Sequence, residues 1–176
     1  NPATVLAEFI ATLHTGDGSV NLPDFYDDVT PLEAVEREAL AALEFSDDEY
    51  LKGLGAPGLA GEAGFTTLER RWTRPTLEVN GIWGGYTGEG AKTVLPACAS
   101  AKLSCRLVPR QEPAAIEAAL RRACAERLPV GVRWTLRVFA GAPAVLTPTD
   151  SPGVQAAMHA LRTGFGAEPA FIREGG

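Results

Sequence analysis

Cys98-Ala-Ser-Ala-Lys-Leu-Ser-Cys-Arg-Leu-Val108 is the stretch that decides the fold. Ala99, Ala101, Leu103, Cys105 and Leu107 alternate with Ser100, Lys102, Ser104 and Arg106. Successive side chains of a strand point to opposite faces, so this run predicts one core face and one polar face. Such a strand suits an antiparallel sheet covered on one side. Pro109 ends it, and Pro113 opens a helix to about residue 128 with Ile116, Ala119, Leu120, Ala123 and Cys124 on its inner face. Alternation returns over 132–139, where Val132, Trp134, Leu136 and Val138 are expected inward and Arg133, Thr135 and Arg137 outward. Upstream, 76–82 reads as another strand, joined to the first by a loop with glycines at 84, 85, 88 and 90.

The opening residues read as a helix. Asn1 is its cap, Pro2 suits its first turn, and Val5, Leu6, Phe9, Ile10 and Leu13 make one stripe. Residues 19–30 read as a loop. Thr30, Pro31 and Glu33 carry a capping-box signature for a helix to about Phe45, expected to bury Leu32, Val35, Leu40 and Leu43. Ser46 begins a second helix start, residues 53–64 form a Gly- and Ala-rich connection, and a short helix is expected over 65–72. The order is helix, helical insertion, strand, strand, helix, strand. After a linker at 140–149, Asp150 or Ser151 caps a last helix that ends near Gly164. This divides the chain into 1–140, with 19–75 as helical insertion and loops, and a separate packing unit over 141–176.

Composition narrows the function. The 176 residues suffice for one domain with a core. A net charge of −6 lacks the basic footprint of nucleic-acid binding. No apolar run approaches membrane-spanning length. Cys98, Cys105 and Cys124 contain no C-x-x-C pair and read as buried free thiols of a cytoplasmic protein. His14 and His159 lack metal-binding spacing, and there is no G-x-S-x-G, so neither a metal ligand set nor a catalytic residue is assigned to this chain. The loop over 84–93 lacks P-loop spacing; its glycines suit either a flexible connection or a close backbone approach to a ligand. Arg106, on a polar strand face, suits either a two-point grip on a carboxylate or a solvated charge.

The run Arg-Pro-Thr-Leu-Glu-Val-Asn-Gly-Ile-Trp-Gly-Gly-Tyr-Thr-Gly-Glu-Gly-Ala-Lys-Thr-Val-Leu-Pro, residues 74–96, resembles the lid domain of the zinc metallopeptidase family of carnosinase-type dipeptidases, aminoacylase, acetylornithine deacetylase and glutamate carboxypeptidase. The continuation over 101–109, the opening Asn-Pro-Ala-Thr-Val-Leu and the closing Arg-Glu-Gly-Gly fit as well. The piece 90–96 is the most specific, and the long insertion before Arg74 points to the dipeptidase branch.

The resemblance implies an α/β (α+β) two-layer sandwich, ferredoxin-like, with a four-stranded antiparallel sheet and helices on one face. In the family one further strand precedes the position of Asn1, so three strands or an exposed sheet edge are expected here. It implies that zinc (or manganese) sits in a separate catalytic domain and that none is bound by this segment, so the segment alone should be inactive. It implies homodimerisation and a peptide substrate. By position in the motif, Thr93 resembles a lid threonine that contacts substrate, and Arg106 resembles the lid arginine that binds the substrate's terminal carboxylate. In the family such residues reach the partner subunit's active site or close over their own. The absence of an initiating Met accords with an internal piece of a longer enzyme. The alternatives are the lid of an N-acyl amino acid deacylase and a free-standing α/β binding or oligomerisation module.

Overall fold

The computed structural model describes residues 1–173; Glu174, Gly175 and Gly176, which end the Arg-Glu-Gly-Gly run, lie outside the described residues. The fold is mixed α/β, with an antiparallel sheet backed by helices.

Helix α1 (Pro2–Ala11) starts as its sequence dictates, with the Asn1 side chain accepting from the Ala3 amide at 3.1 Å. Its Phe9, with the following Leu13, enters the core. Helix α5 (Pro113–Arg127) buries Ile116, Ala119, Ala123 and Cys124, a helical spacing that makes one stripe. These two helices, Leu77 of the sheet, and Val20, Leu22 and Phe25 of the 19–30 loop form one cluster, against which Leu103, Cys105 and Leu107 pack.

Strand β1 (Thr76–Gly84) pairs antiparallel with β2 (Ala99–Arg106). Leu77 lies opposite Cys105 and Val79 opposite Leu103, while Thr76 faces Arg106 and Glu78 faces Ser104. A bulge at Asn80 then shifts the register, so that Ile82 pairs with Ala101 and Trp83 with Ser100. Strict alternation from Leu77 and Val79 would have put Gly81 on the core side. The extra residue instead puts Ile82 opposite Ala101, where it lies beyond the core and is 58% exposed.

The third expected strand is a correction. Residues 132–139 form no strand and pair with nothing among the described residues. Its apolar positions are only partly covered: Leu136 packs against the core, but Trp134 is 37% and Val138 52% exposed. Alternation specifies which side chains face inward, whereas a strand exists only through hydrogen bonds to a neighbour. Here the Leu136 carbonyl accepts from Arg121 Nη2 at 3.2 Å. The described sheet therefore has two strands, fewer than the three expected.

The insertion comprises α2 (Ala34–Ala41), α3 (Asp47–Leu54) and α4 (Thr67–Thr73). Ser46 caps α3 as its sequence predicts, accepting from the Glu49 amide at 3.3 Å. The capping box expected at Thr30–Glu33 is absent. Glu33 is extended, α2 begins one residue later without a side-chain cap, and a complete box instead starts α4, between Thr66 and Glu69. Leu32 lies with Phe65 and Arg74 around a cavity of about 220 Å³, so tertiary packing overrides the local signature. Val35, expected inside, is 77% exposed, while Leu40 is buried.

Arg74 fastens the insertion to the start of β1. Its Nε and Nη2 reach the two Glu62 oxygens at 2.7 and 2.6 Å, and its guanidinium lies 4.9 Å from the Tyr26 ring centroid and 4.3 Å from that of Phe65. At the far end of the chain, α6 (Pro152–Phe165) buries Met158 and leaves Leu161 and Phe165 exposed. No helix among the described residues is long and apolar enough to cross a membrane.

Candidate functional site

An open trough of about 3260 Å³ runs beside the sheet. Its volume and extent make it a broad surface depression, not a closed ligand pocket. Its lining includes residues of β2, β1, α1 and α5 and the whole of 131–150, with Glu36, Leu40 and Arg173 contributing from the insertion and the C-terminal segment.

Arg106 lies on the trough, at the last position of β2. The alternation that buries Leu103 and Cys105 turns Arg106 outward, and it is exposed. Among the described residues it makes no ion pair. Its cross-strand partner is the neutral Thr76, and the nearest acid on the same face is Glu78, diagonally placed opposite Ser104. A guanidinium in this setting keeps all its donors available to an incoming carboxylate.

Thr93 is exposed in the loop joining β1 to β2, outside any helix or strand, and it does not line the trough. The loop leaves the sheet at the Gly84–Ala99 pair, whereas Arg106 sits at the opposite end, paired with Thr76. Seven strand steps separate Ala99 from Arg106, about 23 Å at the usual rise. The hairpin thus places Thr93 on a connection springing from the end remote from Arg106.

No three His, Cys, Asp or Glu side chains cluster as metal ligands among the described residues. His14 Nε2 is engaged with the Leu77 carbonyl at 3.0 Å, and His159 is exposed on α6. The side chains here do not fit a zinc site, and no metal-dependent step is derived for them. The three cysteines are free thiols, but their burial differs from expectation: Cys98 is exposed, Cys105 half-buried and Cys124 buried. Burial pushes the Cys105 thiol up to about 11 and raises that of Cys124.

The profile of the M20 peptidase dimerisation domain matches residues 1–132. The chain belongs to this family. It is 28% identical over 177 residues to human Beta-Ala-His dipeptidase, covering 99% of this chain and 35% of that protein. It is 36% identical over 108 residues to the Cys-Gly metallodipeptidase DUG1 of Candida albicans, covering 61% of this chain and 22% of that protein. Among solved structures, an M20 family metallo-carboxypeptidase, Sso-CP2 from Sulfolobus solfataricus, superposes with a TM-score of 0.86 at 32% identity, over 99% of this chain and 39% of that one. The chain thus spans about a third or less of the curated relatives it matches. These similar proteins are a dipeptidase, a metallodipeptidase and a metallo-carboxypeptidase.

The sequence singled out Arg106 and Thr93, but two features of the trough wall lay beyond it. The Asn80 bulge carries no signature beyond a strand Asn before Gly81. The contact between Glu36 and Arg173 joins residues 137 apart, a distance at which no local pattern operates.

Proposed function

We propose that this chain is the dimerisation and substrate-gating lid of a zinc-dependent dipeptidase, dividing near residue 140 into the lid and the start of a return into the catalytic domain. Dipeptidases and carboxypeptidases act on substrates whose free carboxylate lies beside the cut bond. The exposed guanidinium of Arg106 on the trough, without an ion pair among the described residues, is the observation that carries this reading. Two parallel N–H donors would hold the substrate's carboxyl end and fix the scissile amide for metal-assisted attack, the metal being supplied by residues outside this segment. The three free thiols accord with a cytoplasmic location.

Arg106 and Thr93, at opposite ends of the hairpin, serve different active sites of a homodimer. Arg106 acts on the substrate of its own subunit, and Thr93 reaches that of the partner. A heterodimer of the intact enzyme tests this, with Arg106→Ala in one subunit and Thr93→Ala in the other. One of its two sites would carry both lesions and the other neither, so purified heterodimer should regain about half the wild-type turnover by the symmetry of the pair. Heterodimer as inactive as the two single-mutant homodimers would refute the assignment.

A further inference from the structure

Helix α2 has little apolar hold on the rest of the molecule. Leu40 is its one buried residue, and Val35 stands in solvent. Charged groups at two consecutive positions hold it instead. Arg37 Nη1 contacts the buried Glu69 Oε1 of α4 at 2.8 Å. Glu36 receives a fork from Arg173: Nη2 donates to Oε2 at 2.6 Å, and Nε pairs with Oε1. Consecutive helical residues project about 100° apart, so the two contacts pull on different sides of α2. One stays within the insertion; the other crosses to the segment after α6. The Arg173 and Glu36 side chains are 23% and 32% exposed, so this two-point pair is better shielded than an ordinary surface pair.

We propose that α2 is a clasp: the Glu36–Arg173 fork fastens the helical insertion to the C-terminal segment and holds that wall of the trough in place. The clasp stands on these contacts alone and does not depend on the role given to Arg106. Released, α2 retains its contact with α4 but loses its tie to Arg173, and the trough widens at that wall. The core beneath α1 and α5 is untouched, because neither residue of the fork belongs to it.

Hydrogen exchange on the 176-residue chain tests this with Glu36→Arg, Arg173→Glu and the double swap. Each single variant should speed exchange of amides 37–42 by roughly fivefold, the size of a favourable ion pair, and leave α5 unchanged. Arg173→Glu alters no helix, so its effect on α2 cannot come from lost helical propensity. The double swap should restore protection. Wild-type exchange in Arg173→Glu, loosening shared equally with α5, or a swap that fails to restore protection would each overturn the clasp.

Discussion

The side-chain amide of Gln111 donates to the carbonyl of Phe25 at 2.7 Å, joining residues 86 apart. Its oxygen accepts from the Val108 amide at 3.0 Å, and the residue is 2% exposed. Backbone of positive φ flanks this junction on both sides, at Asp24 (58°) and Arg110 (77°). The left-handed region disfavours both residue types relative to glycine, so the tertiary bond between their neighbours secures turns that the local sequence would not choose.

Gln111→Ala should therefore cost about 2 kcal/mol, because it strands a buried donor and a buried acceptor. Urea unfolding checks this. A loss below about 0.5 kcal/mol would mean that water or rearrangement satisfies both groups.

Gly18 has a φ of 84°, and a Cβ there would lie 2.4 Å from the Gly61 carbonyl oxygen. Strain and overlap act together, and the contacted atom is backbone that cannot swing aside. Gly18→Ala should cost about 2 kcal/mol or more, with the loss of protection concentrated at Ala63, whose amide donates to Asp17 O at 2.8 Å. A variant as stable as wild type would show that the two loops separate at no cost.

Arg106→Ala should leave the thermal midpoint of this chain within about 2 °C of wild type, since an exposed surface side chain adds little to stability. In the intact enzyme the same change should lower kcat/KM by about a hundredfold or more, the usual worth of a charged two-point contact. Arg106→Lys should recover little, because an ammonium cannot form the fork. Unchanged turnover in Arg106→Ala would end the assignment.

The thiols should separate by reactivity. Cys98 should react first with a thiol reagent at pH 8, while Cys105, raised to about 11, and Cys124 stay protected until the chain opens. A buried thiol favours its neutral form, and the unfolded chain loses that proton from about pH 9, so above that pH the unfolded state binds fewer protons. Stability should fall as pH rises from about 9 to 11, and Cys105→Ala should flatten that slope. Equal modification rates at all three thiols would contradict the burial.

The reading from sequence succeeded where one residue's neighbours along the chain settle the matter. Asn1 and Ser46 cap their helices because a cap needs only an amide two or three residues on. It failed where two signatures competed: Thr30–Glu33 and Thr66–Glu69 have the same capping spacing, and only the second opens a helix. Residues 132–139 failed differently, since their alternation matched burial at Leu136 while no strand lay within hydrogen-bonding reach in the described chain.

Local residue order was enough to set the amphipathic elements: α1, α5, and the two faces of β2, including the outward turn of Arg106. Those follow from periodicity, which is local. Tertiary structure alone decided the Asn80 register shift, the Gln111 bond to Phe25, the fork between Glu36 and Arg173, and the placement of Arg106 and the Thr93 loop at opposite ends of the hairpin. Each of these depends on which distant groups the packed core brings within a few ångströms, and hydrogen bonds and ion pairs act only at that range.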